Sequence, residues 1–254
     1  MKKRVITILA IVVGVLIIGW FCVYVLLPRI MLYNMINKLP NIDRNIDYFT
    51  DFSVSNTDVQ TIDNGYVSIN IPNRFIHNEE KAEFIPCLYN TPDNAEILFF
   101  LKDPADLSDM NLLRPEIFED IEDIPKELGI KEITEGFESL SSGIIPDSAY
   151  NTYKCALLAD KDDYSFWDMK KSTCFAIASV LRELVIPAYD ETFLYETEDI
   201  CGIIYITHNY GENEQEHVIF EIFNADDLNT VHTLTICVNS LDDAYAIINS
   251  VEFI

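Results

Sequence analysis

The chain has 254 residues, of which 49% are hydrophobic, and a formal net charge of −25 at pH 7. This apolar content is ordinary for a globular protein, so the composition excludes a disordered chain. A surface this acidic repels phosphate backbones, which argues against nucleic-acid binding. The acids have two interpretations: they keep the domain soluble outside the cell, or they attract cations or a basic partner.

Residues 5–27 form an apolar segment without a charged side chain. A helix of this length is about 34 Å long, enough to cross a hydrocarbon core of roughly 30 Å. Lys2, Lys3 and Arg4 precede the segment, and a basic flank favours the cytoplasmic side. The sequence therefore predicts a single-pass anchor in the cell membrane, with residues 1–4 in the cytoplasm and the rest of the chain outside it.

A cleaved signal peptide is the alternative to an anchor. Its apolar region would span about 7–15 residues and end at a small-residue cleavage site. Here the apolar region is longer, and residues 26–29 do not form such a site. Cys22 follows the bulky Phe21, which fits poorly with lipid attachment at a cysteine. We therefore predict an uncleaved anchor that contacts the lipid bilayer through residues 5–27.

The rest of the chain reads as strands, then helices, then strands and a last helix. Residues 28–64 are expected to form a juxtamembrane helix and a stalk, and residues 65–254 an extracytoplasmic domain. Alternating or continuous apolar positions predict strands at 66–71, 82–89, 95–101, 192–196, 202–208, 217–223 and 231–238. Apolar positions at helical spacing predict helices at 115–128, 148–159, 165–186 and 240–248, while 130–140 fits a short helix or a strand.

This order of elements predicts an α+β fold, in which an antiparallel β-sheet is covered by helices. Polar connections at 209–216 and 224–230 have the length of hairpins between antiparallel strands. The helix at 165–186 has the clearest pattern outside the anchor, with a cap at Ser165 and Asp168. Its apolar face is expected to comprise Phe166, Met169, Thr173, Ile177, Leu181 and Leu184, with Cys174, Ala178 and Val185 beside them.

Two segments at the ends of the domain resemble a known fold. Residues 65–72 are similar to the opening strand of the PsbP-like fold, which ends in proline, and residues 244–253 to its closing helix and Ser-containing last strand. This fold is shared by Ran-binding nuclear-import factors of the Mog type and many small bacterial exported proteins. The resemblance covers residues 65–254, and it implies a non-catalytic binding or accessory domain with no catalytic residue to carry over.

Familiar catalytic motifs are absent from the sequence. The chain contains no HExxH, no GxSxG, no Walker-type loop and no GxGxxG. Residues 160–171 begin like a calcium loop, but Ser165 and Lys171 stand where glycine and an acid are required. We therefore predict no catalytic residue and no cofactor.

Histidines near one hairpin are the only candidates for a metal site. His208 and His217 flank the predicted loop and could face each other across two paired strands. His232, Cys201 and Cys237 lie near them in the predicted register. The spacing differs from that of a closed zinc site, so histidines that are satisfied at strand ends remain the alternative.

The cysteines do not form a recognisable disulfide framework. Of the six cysteines, all but Cys22 lie outside the anchor, which leaves an odd number without CxxC spacing. We interpret them as small buried apolar residues, and a single disulfide stays open as an alternative.

These features favour a membrane-anchored binding or accessory domain whose partner is a protein. A basic surface on that partner is one of the two options left open by the acidic charge. Two alternatives stay open. The first is a surface-displayed hydrolase with a non-local active site, which a pocket of converging polar groups would favour. The second is a sensor or regulatory ectodomain that acts through a partner protein.

Overall fold

The computed structural model describes residues 20–41, 46–50, 58–79, 87–110, 130–186, 189–211 and 214–254. Within these ranges the chain forms five α-helices: α1 (Leu27–Ile36), α2 (Ile130–Glu138), α3 (Ala149–Leu157), α4 (Met169–Val185) and α5 (Leu241–Ile248). A π-helical segment, Cys22–Leu26, runs directly into α1. Short 3₁₀ turns occur at Ser108–Met110 and Lys161–Asp163.

The described ranges also contain twelve strands. They are β1 (Asp47–Tyr48), β2 (Val59–Asp63), β3 (Val67–Pro72), β4 (Ile76–His77), β5 (Cys87–Asn90), β6 (Ile97–Phe100), β7 (Ala105–Asp106), β8 (Glu191–Glu196), β9 (Ile200–Tyr210), β10 (Gln215–Asn224), β11 (Asp227–Val238) and β12 (Glu252–Phe253). The segment predicted as a helix or strand at 130–140 is therefore helical. Residues 82–86 and the helix predicted at 115–128 lie outside the described residues.

Most strands belong to one large sheet with the order β1-β8-β9-β10-β11-β6-β5-β4, and β7 pairs with the far end of β11. Its pairings are antiparallel except for β1 with β8. A small antiparallel sheet has the order β12-β3-β2. The predicted α+β fold with an antiparallel sheet is confirmed, since short turns join β8 to β11 into a meander.

The large sheet buries one face against the small sheet and α5. Because side chains alternate along a strand, even-numbered positions of β9, β10 and β11 share this face. Phe220 lies fully buried at its centre, with its ring centroid 5.2 Å from that of Tyr195. The same core includes Ile204, Val218, Ile222, Leu234 and Ile236 of the large sheet, together with Ile69, Ile71, Ile247 and Ile248 of the opposing layer.

Helices cover the opposite face of the large sheet. The helix α3 lies directly on it, where Tyr150 and Leu157 pack with Ile203, Phe223 and Val231. The helix α4 packs mainly on α1, α2 and α3. The predicted cover of the sheet is therefore supplied by α3, while the longer α4 forms the next layer outward.

The helix predicted at 165–186 starts later than expected and buries a different face. Asp168 is the N-cap of α4, and its side chain accepts a hydrogen bond from the backbone. Leu184 is 73% exposed, and Ile177 and Leu181 are only half-buried. The packed face is therefore displaced from the expected stripe toward Cys174 and Ala178, which the sequence placed beside it.

Close contact with other helices explains which face of α4 is buried. The buried positions are mostly small, and a Cβ added at Gly136 of α2 would collide with the Sγ atom of Cys174. Arg182 is buried as well, because its Nη1 donates hydrogen bonds to the carbonyls of Leu157 and Ala159 at 2.9 and 2.8 Å. A cation suits the end of α3, where carbonyl groups lack helical partners.

The segment predicted as a juxtamembrane helix and stalk, 28–64, contributes to both sheets. The strand β1 pairs with β8, and β2 pairs with β3. Phe49 and Ile62 belong to the main core. Apolar residues that are scattered in the sequence thus meet in the interior, and the folded domain begins before residue 65.

The predicted anchor lies mostly outside the described part of the chain, because residues 5–19 are not described. Residues 20–36 are helical. None of the helices found within the described ranges has both the length and the apolar character that crossing a membrane requires.

Candidate binding cleft

A cleft of about 580 Å³ opens at one end of the large sheet. Three segments line it: the turn from β8 to β9 within residues 195–200, the turn from β10 to β11 within 224–226, and the C-terminal segment within 249–253. The first two meet because alternate turns of an antiparallel meander lie at the same end of the sheet. The third arrives there after α5.

Hydrogen bonds hold the two sheet turns together. The Ala225 amide donates to the Asp199 carbonyl at 3.0 Å, which ties one turn to the other. Within the first turn, the Thr197 amide donates to the Ile200 carbonyl at 2.8 Å, and the Ile200 amide donates to Thr197 Oγ1 at 3.1 Å. Since a side-chain oxygen replaces a backbone acceptor in this turn, threonine is well suited to it.

The C-terminal wall is fixed by the small sheet. Ser250 Oγ donates to the Ile247 carbonyl at 2.7 Å and accepts from the Asn70 amide at 2.8 Å. Glu252 then pairs with Ser68 across β12 and β3. The backbone that carries Glu252 is therefore held by regular hydrogen bonds.

Four carboxylates surround the cleft, on Glu198, Asp199, Asp226 and Glu252. All four residues are exposed, and none forms an ion pair with a residue in the described part of the chain. The neighbouring Glu196 differs, since it pairs with Lys154 at 2.5 Å. Like charges gathered around a concave surface produce a negative potential that favours a cation.

The floor of the cleft is apolar. Tyr195, Ile200 and Val251 are at most 8% exposed, and the half-buried Phe253 packs against the same core. A carboxylate rim above an apolar floor fits a ligand that joins a positive group to an apolar stem. Lysine and arginine side chains have this form.

The two histidines predicted as metal ligands do not share a site, because the register of β9 and β10 places them on opposite faces of the large sheet. His208 Nδ1 lies 2.6 Å from Glu216 Oε2, and its Nε2 lies 3.4 Å from Glu191 Oε1. His217 instead stacks on the ring of Tyr210, with centroids 4.4 Å apart. Across the described ranges, no group of three or more His, Cys, Asp or Glu side chains could hold a metal ion.

Their surroundings move the pKa values of these histidines in opposite directions. The hydrogen bond with Glu216, followed by that with Glu191, raises the pKa of His208. Burial lowers the pKa of His217. His208 therefore contributes stability that is complete below the unfolded pKa of about 6.5 and is lost as the pH rises through its folded pKa. The lowered pKa of His217 has the opposite effect, because the folded state loses stability as the pH falls below about 6.5.

We expect His208 to retain its proton to a higher pH than His217 in an NMR titration of the imidazole Cε1–H signals. Glu216→Gln should lower the pKa of His208, because it removes the nearest negative charge. The pKa of His217 should stay unchanged in that variant, since its side chain faces the other side of the sheet. Equal titration midpoints in the wild-type chain would contradict this geometry.

The other residues near the predicted metal site have packing roles. His232 is buried between the two sheets, with its ring 5.4 Å from that of Tyr66 and 5.5 Å from that of Phe253. All six cysteines are free thiols, so the disulfide left open by the sequence is not formed. Burial raises the pKa of Cys237 to about 11, which keeps this thiol protonated at neutral pH.

The sequence patterns do not predict the cleft. Asp226 is recognisable as a turn residue, but its proximity to Glu198 and Glu252 depends on chain segments far apart in sequence. One signal was available: acids occur in two turns that a meander places at the same end of the sheet.

Comparison with family models, curated proteins and solved structures finds no match for this chain. The two segments that resemble the PsbP-like fold pair with each other, as β3 and β12 of the small sheet. Membership of that family stays a prediction.

Proposed function

We propose that this chain is a membrane-anchored binding domain whose cleft accepts a basic segment of a protein partner. The observation that carries the proposal is the set of four carboxylates, without ion pairs in the described part of the chain, around an apolar floor. The PsbP-like resemblance supports the same kind of function, as an accessory or binding domain.

The chemistry of the cleft suggests how affinity would be divided. Each exposed ion pair contributes about 0–1 kcal/mol, and the charges mainly raise the association rate and the specificity. Burial of an apolar stem adds about 25 cal/mol for each Å² removed from water. We therefore propose a dissociation constant in the micromolar range for a short basic segment, which corresponds to a binding free energy of about −8 kcal/mol.

Catalysis is the weaker proposal for this site. Thr197 Oγ1 already accepts a hydrogen bond from the Ile200 amide. The described residues that line the cleft include no His, Cys, Ser or Lys. A hydroxyl nucleophile requires a base that accepts its proton, and Thr197 Oγ1 instead donates to the Ile200 carbonyl at 3.5 Å. The lining therefore supports a binding role over the hydrolase alternative.

We place the domain outside the cytoplasm, with residues 5–27 crossing the membrane once. The apolar sequence and the basic residues before it support this location. Trp20 and Tyr24 add to it: both are exposed on the helix, with ring centroids 5.8 Å apart, near the outer end of the apolar segment. Such rings are favoured at a membrane interface.

Protease added to intact cells tests the proposed location. The domain should be digested from the outside, while a cytoplasmic marker protein stays intact. Full protection of the domain, with digestion only after cell lysis, would contradict the orientation.

Calorimetric titration of the full chain in lipid nanodiscs tests the binding function. The probe is a hexapeptide with Lys and Arg on both sides of one Phe, and the control peptide has Glu in place of the basic residues. We expect micromolar binding of the basic peptide and weaker association as salt screens the charges. Equal binding of the two peptides, or no binding of either, would contradict the proposal.

A further inference from the structure

The loop between the 3₁₀ turn Lys161–Asp163 and α4 presents aromatic side chains at the surface. Trp167 is 71% exposed, and its ring lies edge-on to that of Phe166 with centroids 5.0 Å apart. Met169, at the start of α4, is exposed beside them. Large apolar side chains that are exposed together mark an interaction surface.

This loop is fastened to the first turns of α1. The Tyr164 hydroxyl donates to the Arg29 carbonyl at 2.9 Å, and its ring lies 5.4 Å from that of Tyr33. Five residues beyond the C-terminal end of α1, the backbone and side-chain amides of Asn41 donate to the Glu183 carboxylate at 2.8 and 2.9 Å. Contacts at both ends therefore hold α1 against the helical layer.

The position of α1 sets the height of the loop above a bilayer. Arg29 and Tyr33 lie about 3 and 9 Å beyond residue 27 along the helix, at about 1.5 Å per residue. The headgroup layer of each leaflet is roughly 5–8 Å thick. Since Tyr164 contacts both residues, the loop lies at the level of the headgroups if residues 5–27 cross the membrane.

Local charge permits this approach. Residues 161–171 contain three lysines and three aspartates, so this segment is neutral while the chain as a whole carries −25. Repulsion of the acidic domain by anionic lipid is therefore reduced here. The indole ring combines an apolar body with a polar N–H group, which suits the interface between lipid and water.

We propose that Phe166 and Trp167 form a second contact with the bilayer, inserting into the interface of the outer leaflet beside the anchor helix. This contact rests on the proposed anchor. Two contacts restrict the tilt of the domain on the membrane. The layer that carries residues 249–253 of the cleft lies on the other side of the large sheet from α1, so this wall stays away from the lipid and accessible to a partner.

Fluorescence quenching by spin-labelled lipid tests the contact in the full chain. The chain has two tryptophans, so Trp20→Phe leaves Trp167 as the reporter of the loop, and Trp167→Phe leaves Trp20 as the reporter of the anchor. A third variant lacks both and carries Ile254→Trp, at a 75% exposed position beside the small sheet. Each is reconstituted in vesicles of phosphatidylcholine and phosphatidylglycerol, with or without phosphatidylcholine that carries a spin label near the headgroup.

We expect the labelled lipid to reduce Trp167 emission roughly twofold or more and to leave the reporter at position 254 unchanged. Quenching of Trp20 without quenching of Trp167 would overturn the loop contact while the anchor stands. Absence of quenching at both tryptophans would overturn the anchor and, with it, the loop contact. Equal quenching at 167 and 254 would show general adsorption and would also overturn the proposal.

Discussion

Replacing Phe220 by Ala should lower the free energy of unfolding by about 3–5 kcal/mol, because the ring is fully buried and its loss leaves a cavity. The ring also fills the space beside Gly202 on the neighbouring strand, where an added Cβ would collide with it. Urea unfolding of the full chain in detergent, followed by circular dichroism, measures the change.

Phe99→Ala is the matched control for this substitution. Phe99 is half-buried and belongs to the opposite face of the large sheet, so its loss should cost clearly less. Gly202→Ala adds a methyl group beside the Phe220 ring instead of removing the ring. The new Cβ would lie only 2.7 Å from the Glu221 carbonyl oxygen. A cost below about 1 kcal/mol for Phe220→Ala would show that the core is centred elsewhere.

Neutralising the four cleft carboxylates should weaken binding of the basic hexapeptide about 10- to 100-fold. The variant is Glu198→Gln, Asp199→Asn, Asp226→Asn and Glu252→Gln. Four exposed ion pairs at about 0.3–0.7 kcal/mol each account for a change of this size. Since the lost attraction acts over distance, the association rate should fall and its dependence on salt should flatten. Stopped-flow kinetics and calorimetry measure both effects.

A matched control separates the cleft from the general acidity of the chain. Glu79→Gln, Asp103→Asn, Glu138→Gln and Asp162→Asn make the same change in net charge at exposed positions that do not line the cleft. This variant should bind the peptide nearly as well as the wild-type chain. Equal weakening in both variants would show that total charge, and not the cleft, governs association.

The large sheet could be predicted from the sequence because its signals are local. Alternating side chains in β9, β10 and β11 and short polar turns between them determine the antiparallel pairing. The helix α3 also lies where helical spacing indicated. The pattern that predicts each of these elements lies within about ten residues of chain.

The packed face of α4 could not be predicted in the same way. Its most apolar stripe includes Leu184, which is exposed, while Ser179 and Arg182 are buried. Close helix contacts select small side chains at such positions, and Arg182 finds carbonyl partners on a different helix. Both causes depend on neighbours that hydrophobic periodicity does not describe.

The candidate site needed the tertiary structure for a similar reason. A metal site at His208 and His217 assumed that both side chains point the same way, but the irregular register near the β9–β10 hairpin puts them on opposite faces. The acidic cleft brings together two turns that are far apart in the sequence and the C-terminal segment. Its carboxylates are therefore recognisable as a group only after the strands are paired.

Methyl NMR of the full chain in nanodiscs, titrated with the basic hexapeptide, tests the central claim most directly. If the peptide occupies the cleft, the methyl signals of Ile200 and Val251 on its floor should shift together as peptide is added. The dissociation constant fitted from these shifts should equal the one measured by calorimetry. Ile133 and Ile36 in the helical layer should not move. Saturable shifts in the helical layer with unchanged Ile200 and Val251 signals would contradict the proposed binding site.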